Sequence, residues 1–353
     1  MRSVQLVVEV RTLPTRYSRR VTAQDFGLYG LRVRADVELE PVVIRATDGD
    51  ADMTVSGRHI GEVPVGRPEG AVLAEFPPGS SGPKMYWLVE HGSGYVLRFP
   101  GSVEYRVSED LKRVTWVRSP GIELEHAREI FHGHVMALLL GLAGFAVFHS
   151  SGVVLHNGVD GGSARAVGVL GATGGGKSTF AALLVAAGAK FLTDDLLCVK
   201  ATDGVIAVNG GCAELRLRKA AAGLTRLLVG APTRQTLDER LALSLGEGDL
   251  ASHRLGLLVF PRVAHDVKEM TVNKLTPREV ALRLASAPRM LGWVAERVVE
   301  NEFRCLSEMA QQVPAVCVEA RHSEELGAEM AGLLMEQVRA ALAGATTGSS
   351  RLA

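Results

Sequence analysis

Hydrophobic positions change their period part-way along the chain, and the change divides it. Up to about residue 124, apolar residues come in short alternating or β-branched runs: Val4 to Val10, Leu31 to Leu39, Val42 to Arg45, Tyr86 to Glu90, Tyr95 to Phe99 and Val114 to Val117. Turn-forming stretches such as Thr47 to Asp52 and Pro77 to Lys84 separate them. This pattern predicts antiparallel β structure joined as meanders. After Glu125 the period becomes helical, and Val135 to Phe148 is an uncharged apolar run. It is shorter than the roughly 20 residues a bilayer crossing needs. His132 and His134 close it on one side and His149 and Ser150 on the other, so it predicts a buried core helix.

Beyond that run, apolar strands are expected at Val153 to Asp160 and Ala166 to Leu170, followed by glycines and by a helix over Ser178 to Ala187 that Gly188 closes. Further strands are expected at Phe191 to Thr193, Leu196 to Lys200, Val205 to Val208, Glu214 to Arg218 and Leu255 to Phe260, with a mostly helical remainder. Thr276, Pro277 and Glu279 combine an N-cap, a first-turn proline and a capping-box acid, which starts a helix there. His322 to Ala343 reads as an amphipathic helix. The expected organisation is a β-rich N-terminal domain (residues 1–124), an α/β domain ending in helices (125–345) and a flexible tail (346–353).

A chain of 353 residues can bury a full core as two domains or as one large one. Its 47% hydrophobic and 22% charged residues exclude a disordered or disulfide-dependent class. Lys plus Arg equals Asp plus Glu at 39 each, so no overall field exists to gather nucleic acid or an anionic membrane. Anion binding must be local. Cys198, Cys212, Cys305 and Cys317 show no CxxC spacing and sit in apolar stretches, which predicts buried thiols rather than disulfides or zinc. The first residues lack the basic start, long apolar run and small-residue cleavage site of a signal peptide, and a cytoplasmic enzyme is expected.

The local anion site is easy to find. Gly171 to Thr179, GATGGGKST, fits the phosphate-loop (Walker A) pattern GxxxxGK followed by Ser or Thr, placed between a strand and a helix. Gly171, Ala172, Thr173, Gly174, Gly175 and Gly176 let the backbone curl so that successive N–H groups face inward around phosphate oxygens. Lys177 adds a full charge at the β and γ phosphates, Ser178 is placed to ligate Mg²⁺, and Thr179 to touch the α phosphate. After the next strand come Asp194 and Asp195. Two carboxylates there suit two tasks, holding Mg²⁺ and accepting the proton of an attacking hydroxyl. An exposed acidic turn is the bland alternative. His156, in the strand before the loop, reads by itself as an ordinary core histidine.

Together these residues resemble the HPr kinase/phosphorylase catalytic domain and its shorter, divergent relatives, which share a P-loop core with phosphoenolpyruvate carboxykinase. The likeness rests on His156 with Gly158, on GATGGGKST, and on Phe191 to Asp195, FLTDD, in that order. It extends in coarse pattern over His149 to Arg218, and Phe26 to Val33 resembles the β-rich lead-in of the divergent members. The resemblance implies a phosphoenolpyruvate carboxykinase-like core in the second domain, with ATP rather than GTP as donor. It also implies catalytic roles for Lys177, Asp194 as base and His156 near the transferred phosphate, with Ser178 and Asp195 at the metal; the two aspartates could exchange roles. The second glycine-rich loop of HPr kinases, with its arginine, is missing, so HPr is not the expected acceptor. Arg216, Arg218, Lys219 and Arg262 follow strands and could reach phosphates, although solvated surface charge is the simpler account.

The expected function is an ATP- and Mg²⁺-dependent kinase acting on a serine-like hydroxyl of a peptide or protein. The alternatives are a kinase of free amino acids or other metabolite alcohols, and a non-catalytic ATP-binding regulatory module. No nucleic-acid or membrane partner is expected, and a homo-oligomer is compatible with the chain.

Overall fold

The computed structural model describes residues 23–349 except 38, 40–43, 46–49, 80–81, 157–163, 212, 237, 246–250 and 322–326. The expected strand at Val4 to Val10, the start of the helix expected from His322, and Cys212 lie outside the described residues. Those described form a strand-rich mixed α/β structure with six α-helices.

The first sheet contains β1 (Gln24–Leu28), β2 (Leu31–Ala35), β3 (Ile44–Arg45), β4 (Met53–Ile60), β5 (Ala71–Phe76), β6 (Tyr86–Glu90), β7 (Gly94–Phe99), β8 (Val103–Ser108) and β9 (Arg113–Arg118). Their order is β3-β1-β2-β4-β9-β8-β7-β6-β5. From β5 to β9 the chain is the antiparallel meander that its alternation predicts. At the centre the expectation fails, because β4 runs parallel to both β2 and β9. Alternation reports which side chains face the core, not which way a neighbouring strand runs.

A helical segment covers this sheet: α1 (Leu124–Ile130), a π turn (Phe131–Val135) and α2 (Met136–Leu142). Every residue of α2 is buried. Trp116 of β9, fully buried, has ring centroids 5.5 Å from both Tyr105 and Phe131, which locks the π turn to the sheet. The apolar run expected to stay helical to Phe148 leaves the helix at Leu142. Gly144 at φ +84° makes the stop, and Ala146–Phe148 becomes strand β10.

The second sheet joins β10 to β11 (Ser150–Leu155), β12 (Arg165–Leu170), β13 (Lys190–Thr193), β14 (Leu197–Thr202) and β15 (Val205–Asn209). A small third sheet holds β16 (Glu214–Leu217), β17 (Thr233–Gln235) and β18 (Leu241–Ser244). The second sheet is completed by β19 (Ser252–Ala264), β20 (Thr271–Lys274) and β21 (Ala315–Arg321). Strand β19 spans the sheet: its start pairs antiparallel with β15, its middle parallel with β12 and its end parallel with β21. Alternation along β12 sends Val167 and Val169 to one face, under α3 (Lys177–Ala186) and α6 (Ala328–Ser349). Ala166 and Leu170 face the other side, under α4 (Pro277–Ala285) and α5 (Glu296–Gln312). The capping box predicted at Thr276 is present, with both reciprocal bonds to Glu279. Strands β17, β18, β20 and β21 replace part of the helical remainder that was expected. Among the described residues Cys198, Cys305 and Cys317 are buried free thiols, and no helix is long and apolar enough to cross a membrane.

The π turn carries two histidines into apolar surroundings. His132 Nε2 lies 3.3 Å from the Leu39 carbonyl oxygen, and the His134 ring meets Tyr86 and Phe99 edge-on at 5.8 and 5.4 Å. Burial pushes their pKa values down to about 3 and about 4, from 6.5. Below 6.5 the unfolded chain therefore binds two protons that the folded one refuses. Their contribution to stability is complete above that pH and is lost as pH falls toward 4 and then 3. Urea denaturation at pH 7.5 and pH 5 is expected to differ by about 4 kcal/mol from these two groups, about 2 each, and His134→Phe should remove about half of the difference.

Candidate functional site

The glycine loop lies between β12 and α3. Gly174 and Gly176 adopt φ values of +81° and +94°, in the left-handed region. At Gly175 a Cβ would stand 3.0 Å from the Ala172 carbonyl oxygen, to which the Gly175 amide donates. The loop is thus a tight curl that ends at Gly176, the N-cap of α3, whose first amides have no partner within the helix. Lys177 is buried and folds back over the curl, donating to the carbonyls of Gly171 (3.0 Å) and Ala172 (3.1 Å). Burial lowers the Lys177 ammonium, against the pull of Asp194 and Asp195. A cleft of about 290 Å³ opens beside the loop, bounded in part by His149, Thr173, Lys177, Asp195 and Arg218.

Asp194 and Asp195 leave β13 in opposite senses, because Asp195 takes φ +69°. Asp194 points inward and is buried. It accepts hydrogen bonds from the Ser151 hydroxyl, from the Ser178 hydroxyl at 3.0 and 3.1 Å to its two oxygens, and from the Arg216 amide at 3.0 Å. Burial raises its carboxyl above the ordinary value, and those donors oppose the rise. Asp195 turns to the cleft, with 37% of its side chain exposed. Burial alone would raise this carboxyl too, but Arg289 (Nη2 at 2.9 Å) and His149 (Nδ1 at 3.1 Å) outweigh it and hold Asp195 well below the usual carboxylate range.

The partners of Asp195 come from distant parts of the chain. His149 joins β10 to β11 and its amide donates to Ala287; Arg289 follows α4 and its amide donates to Val147. A single β-bridge between Phe148 and Pro288 ties the two segments. Gly133, in the π turn, lets Arg289 through: a Cβ there would sit 2.4 Å from Arg289 Nη2 and 3.6 Å from the nearer Asp195 oxygen. An extra residue in a helical turn re-aims its neighbours, and here it brings the one residue without a side chain against the guanidinium.

The structure does not bring His156 to the acidic pair. In the antiparallel β11–β12 pair, Ser150 faces Leu170 at the loop end while Leu155 faces Arg165 at the other. His156 is exposed beyond Leu155, and five residues of strand put it about 16 Å from Ser151. The histidine at the site is His149. The register of the hairpin holds that information, since the residue beside Ser150 must adjoin the glycine loop. Arg216 and Arg218 line the cleft, whereas Lys219 is exposed and pairs with Glu239, and Arg262 pairs with Asp266 and Glu319. Ser151, Arg289 and Arg240, which also lines the cleft, carry no sequence pattern that marks them.

Among the described residues no group of three or more His, Cys, Asp or Glu side chains could hold a metal ion. Magnesium does not need one, because it binds through one or two carboxylates with substrate phosphates and water. The touching Ser178 hydroxyl and Asp194 carboxylate fit that pattern at the end of the loop. Asp195, expected at the metal, meets Arg289 and His149 in this structure.

No family model matches the chain, and no curated protein does. Among solved structures it is similar to the Hpr(Ser) kinase/phosphatase from Coxiella burnetii, at 10% identity over 55% of this chain and 96% of that one, with a TM-score of 0.27. The resemblance seen in the motifs thus has only a weak structural counterpart, too distant to bear on fold or chemistry.

Replacing glycine by alanine inside a helix ordinarily stabilises by about 1 kcal/mol. At Gly133 the added methyl must displace Arg289, and overpacking costs about 1–3 kcal/mol. Gly133→Ala is therefore expected to be destabilised in urea, with the Arg289 side-chain NMR signals shifted; a more stable variant would contradict this packing.

Proposed function

We propose that this protein is an ATP- and Mg²⁺-dependent kinase that moves the γ-phosphoryl group to a serine-like hydroxyl of a peptide or protein. The observation that supports this most is the meeting of Ser178 with Asp194 at the end of the glycine loop, with Asp195 turned into the same cleft. A nucleotide binder without transfer chemistry has no use for a second carboxylate held ready by an arginine and a histidine. The peptide or protein acceptor follows the resemblance of the motifs to HPr-kinase-like proteins.

The loop amides and the first amides of α3 take the phosphate oxygens, and Lys177 brings its charge to the β and γ phosphates. Magnesium, held by Ser178 and Asp194, would offset the charge on the terminal phosphates and align them. The buried setting of Asp194 suits that task, and the exposed edge of Asp195 suits the base, so the two exchange the roles first expected. Arg289 and His149 orient the Asp195 carboxylate toward the cleft, and His149 takes the place assigned to His156. A weakly basic carboxylate suffices, since catalysis of phosphoryl transfer is mostly positioning and charge stabilisation.

With ATP and candidate acceptors, ³¹P NMR and mass spectrometry should find a phosphorylated peptide rather than ADP alone, and free serine should not react. Asp195→Asn is expected to slow transfer by about 10²- to 10⁴-fold while nucleotide binding persists. Asp194→Asn should raise the Mg²⁺ concentration needed, and Lys177→Ala should abolish transfer in a folded protein. Full activity of Lys177→Ala or Asp195→Asn would sink the proposal.

A further inference from the structure

A second cavity, of about 200 Å³, begins one residue from this site. Phe148 and Pro288 line it, while the residues that follow them, His149 and Arg289, hold Asp195. Its other walls come from β10, from Leu284 and Ala285 of α4, and from Val299, Glu302, Phe303 and Leu306 of α5. Phe303 leaves 69% of its surface exposed and Val299 45%, at the i, i+4 spacing that puts both on one side of α5.

Glu302 is the one charged residue in this lining. It is half-buried, and among the described residues no hydrogen-bond donor or cation meets it. Burial accordingly raises its carboxyl to about 7. A carboxylate in an apolar wall without a counter-charge is costly, and an ammonium group removes that cost. Two phenylalanine rings in the same lining, Phe148 from β10 and Phe303 from α5, add the electron-rich faces to which cations are drawn. A neutral apolar guest would leave the carboxylate dry and unpaired. An anion would be repelled, and a metal ion would find a single ligand.

We propose that this cavity binds a small organic ammonium ion, its apolar body among Phe148, Leu284, Phe303 and Leu306 and its charged nitrogen against Glu302. The cavity volume suits a guest the size of benzylamine. This site is separate from the glycine-loop cleft and does not depend on the kinase reading. The Phe148–Pro288 bridge links it to the cleft, so a bound guest touches the two segments that present His149 and Arg289.

Titration of the full chain at pH 8 with benzylamine, benzyltrimethylammonium and benzyl alcohol, followed by calorimetry, tests the proposal. Both cations are expected to saturate one site with Kd of about 1 mM or tighter, and benzyl alcohol to bind at least about tenfold more weakly. Glu302→Gln should erase the preference for cations, and Phe303→Ala, at an exposed position, should weaken both cations without loss of fold. Equal binding of the alcohol, unchanged cation binding by Glu302→Gln, or no saturation by either cation would overturn it. Should Glu302→Gln fail to fold, the comparison of alcohol with cations on the unaltered chain still decides.

Discussion

A carboxylate taken out of water is tolerated only where donors meet it, and Asp194 is met from three directions. Ser151 reaches it from β11, Ser178 from the first turn of α3 and the Arg216 amide from the third sheet, so one side chain at the end of β13 joins the elements that build the cleft. Removing any one donor would leave a buried acceptor short of a partner, at a cost of about 1–3 kcal/mol. The same bonds set where Ser178 stands relative to the glycine curl. The position of the Ser178 hydroxyl beside the Asp194 carboxyl group is therefore a by-product of satisfying a buried acceptor.

Asp195 shows the opposite economy. Its backbone is in the left-handed region, where a non-glycine residue needs a compensating reason, and here the compensation is the pair of partners, Arg289 and His149, that the turn makes available. Those neighbours are supported by the first sheet. Trp116 holds Phe131, Phe131 opens the π turn, and Gly133 in that turn leaves room for Arg289. The β-rich part of the chain thus reaches the cleft through this packing, and the Tyr86 hydroxyl of β6 also donates to the Leu291 carbonyl just after Arg289.

The same packing brings Phe148 and Pro288 together. Their bridge has the acidic pair beyond one end and the α4–α5 cavity at its own side chains. That segment therefore contributes to both surroundings through adjacent residues.

Much of the local structure was legible from residue order alone. The curl of Gly171 to Gly176, the first turn of α3, the aspartates after β13 and the cap at Thr276 depend on neighbours within a few positions, where steric freedom and hydrogen-bonding reach act directly. Strands β2, β6, β7 and β9 of the first sheet and β11 to β15 of the second were visible for the same reason, whereas β4, β5, β8, β10, β20 and β21 were not. Tertiary structure decided the rest. It set β4 parallel to its neighbours, turned Asp194 inward and Asp195 outward, and chose His149 over His156 through the register of β11 on β12. It also delivered Arg289 and Ser151 to carboxylates far away in sequence. Periodicity records which face of an element is buried, but not its direction, its register or what lies opposite. Those follow from the closing of distant segments on one another, where burial and the pairing of charges are settled together.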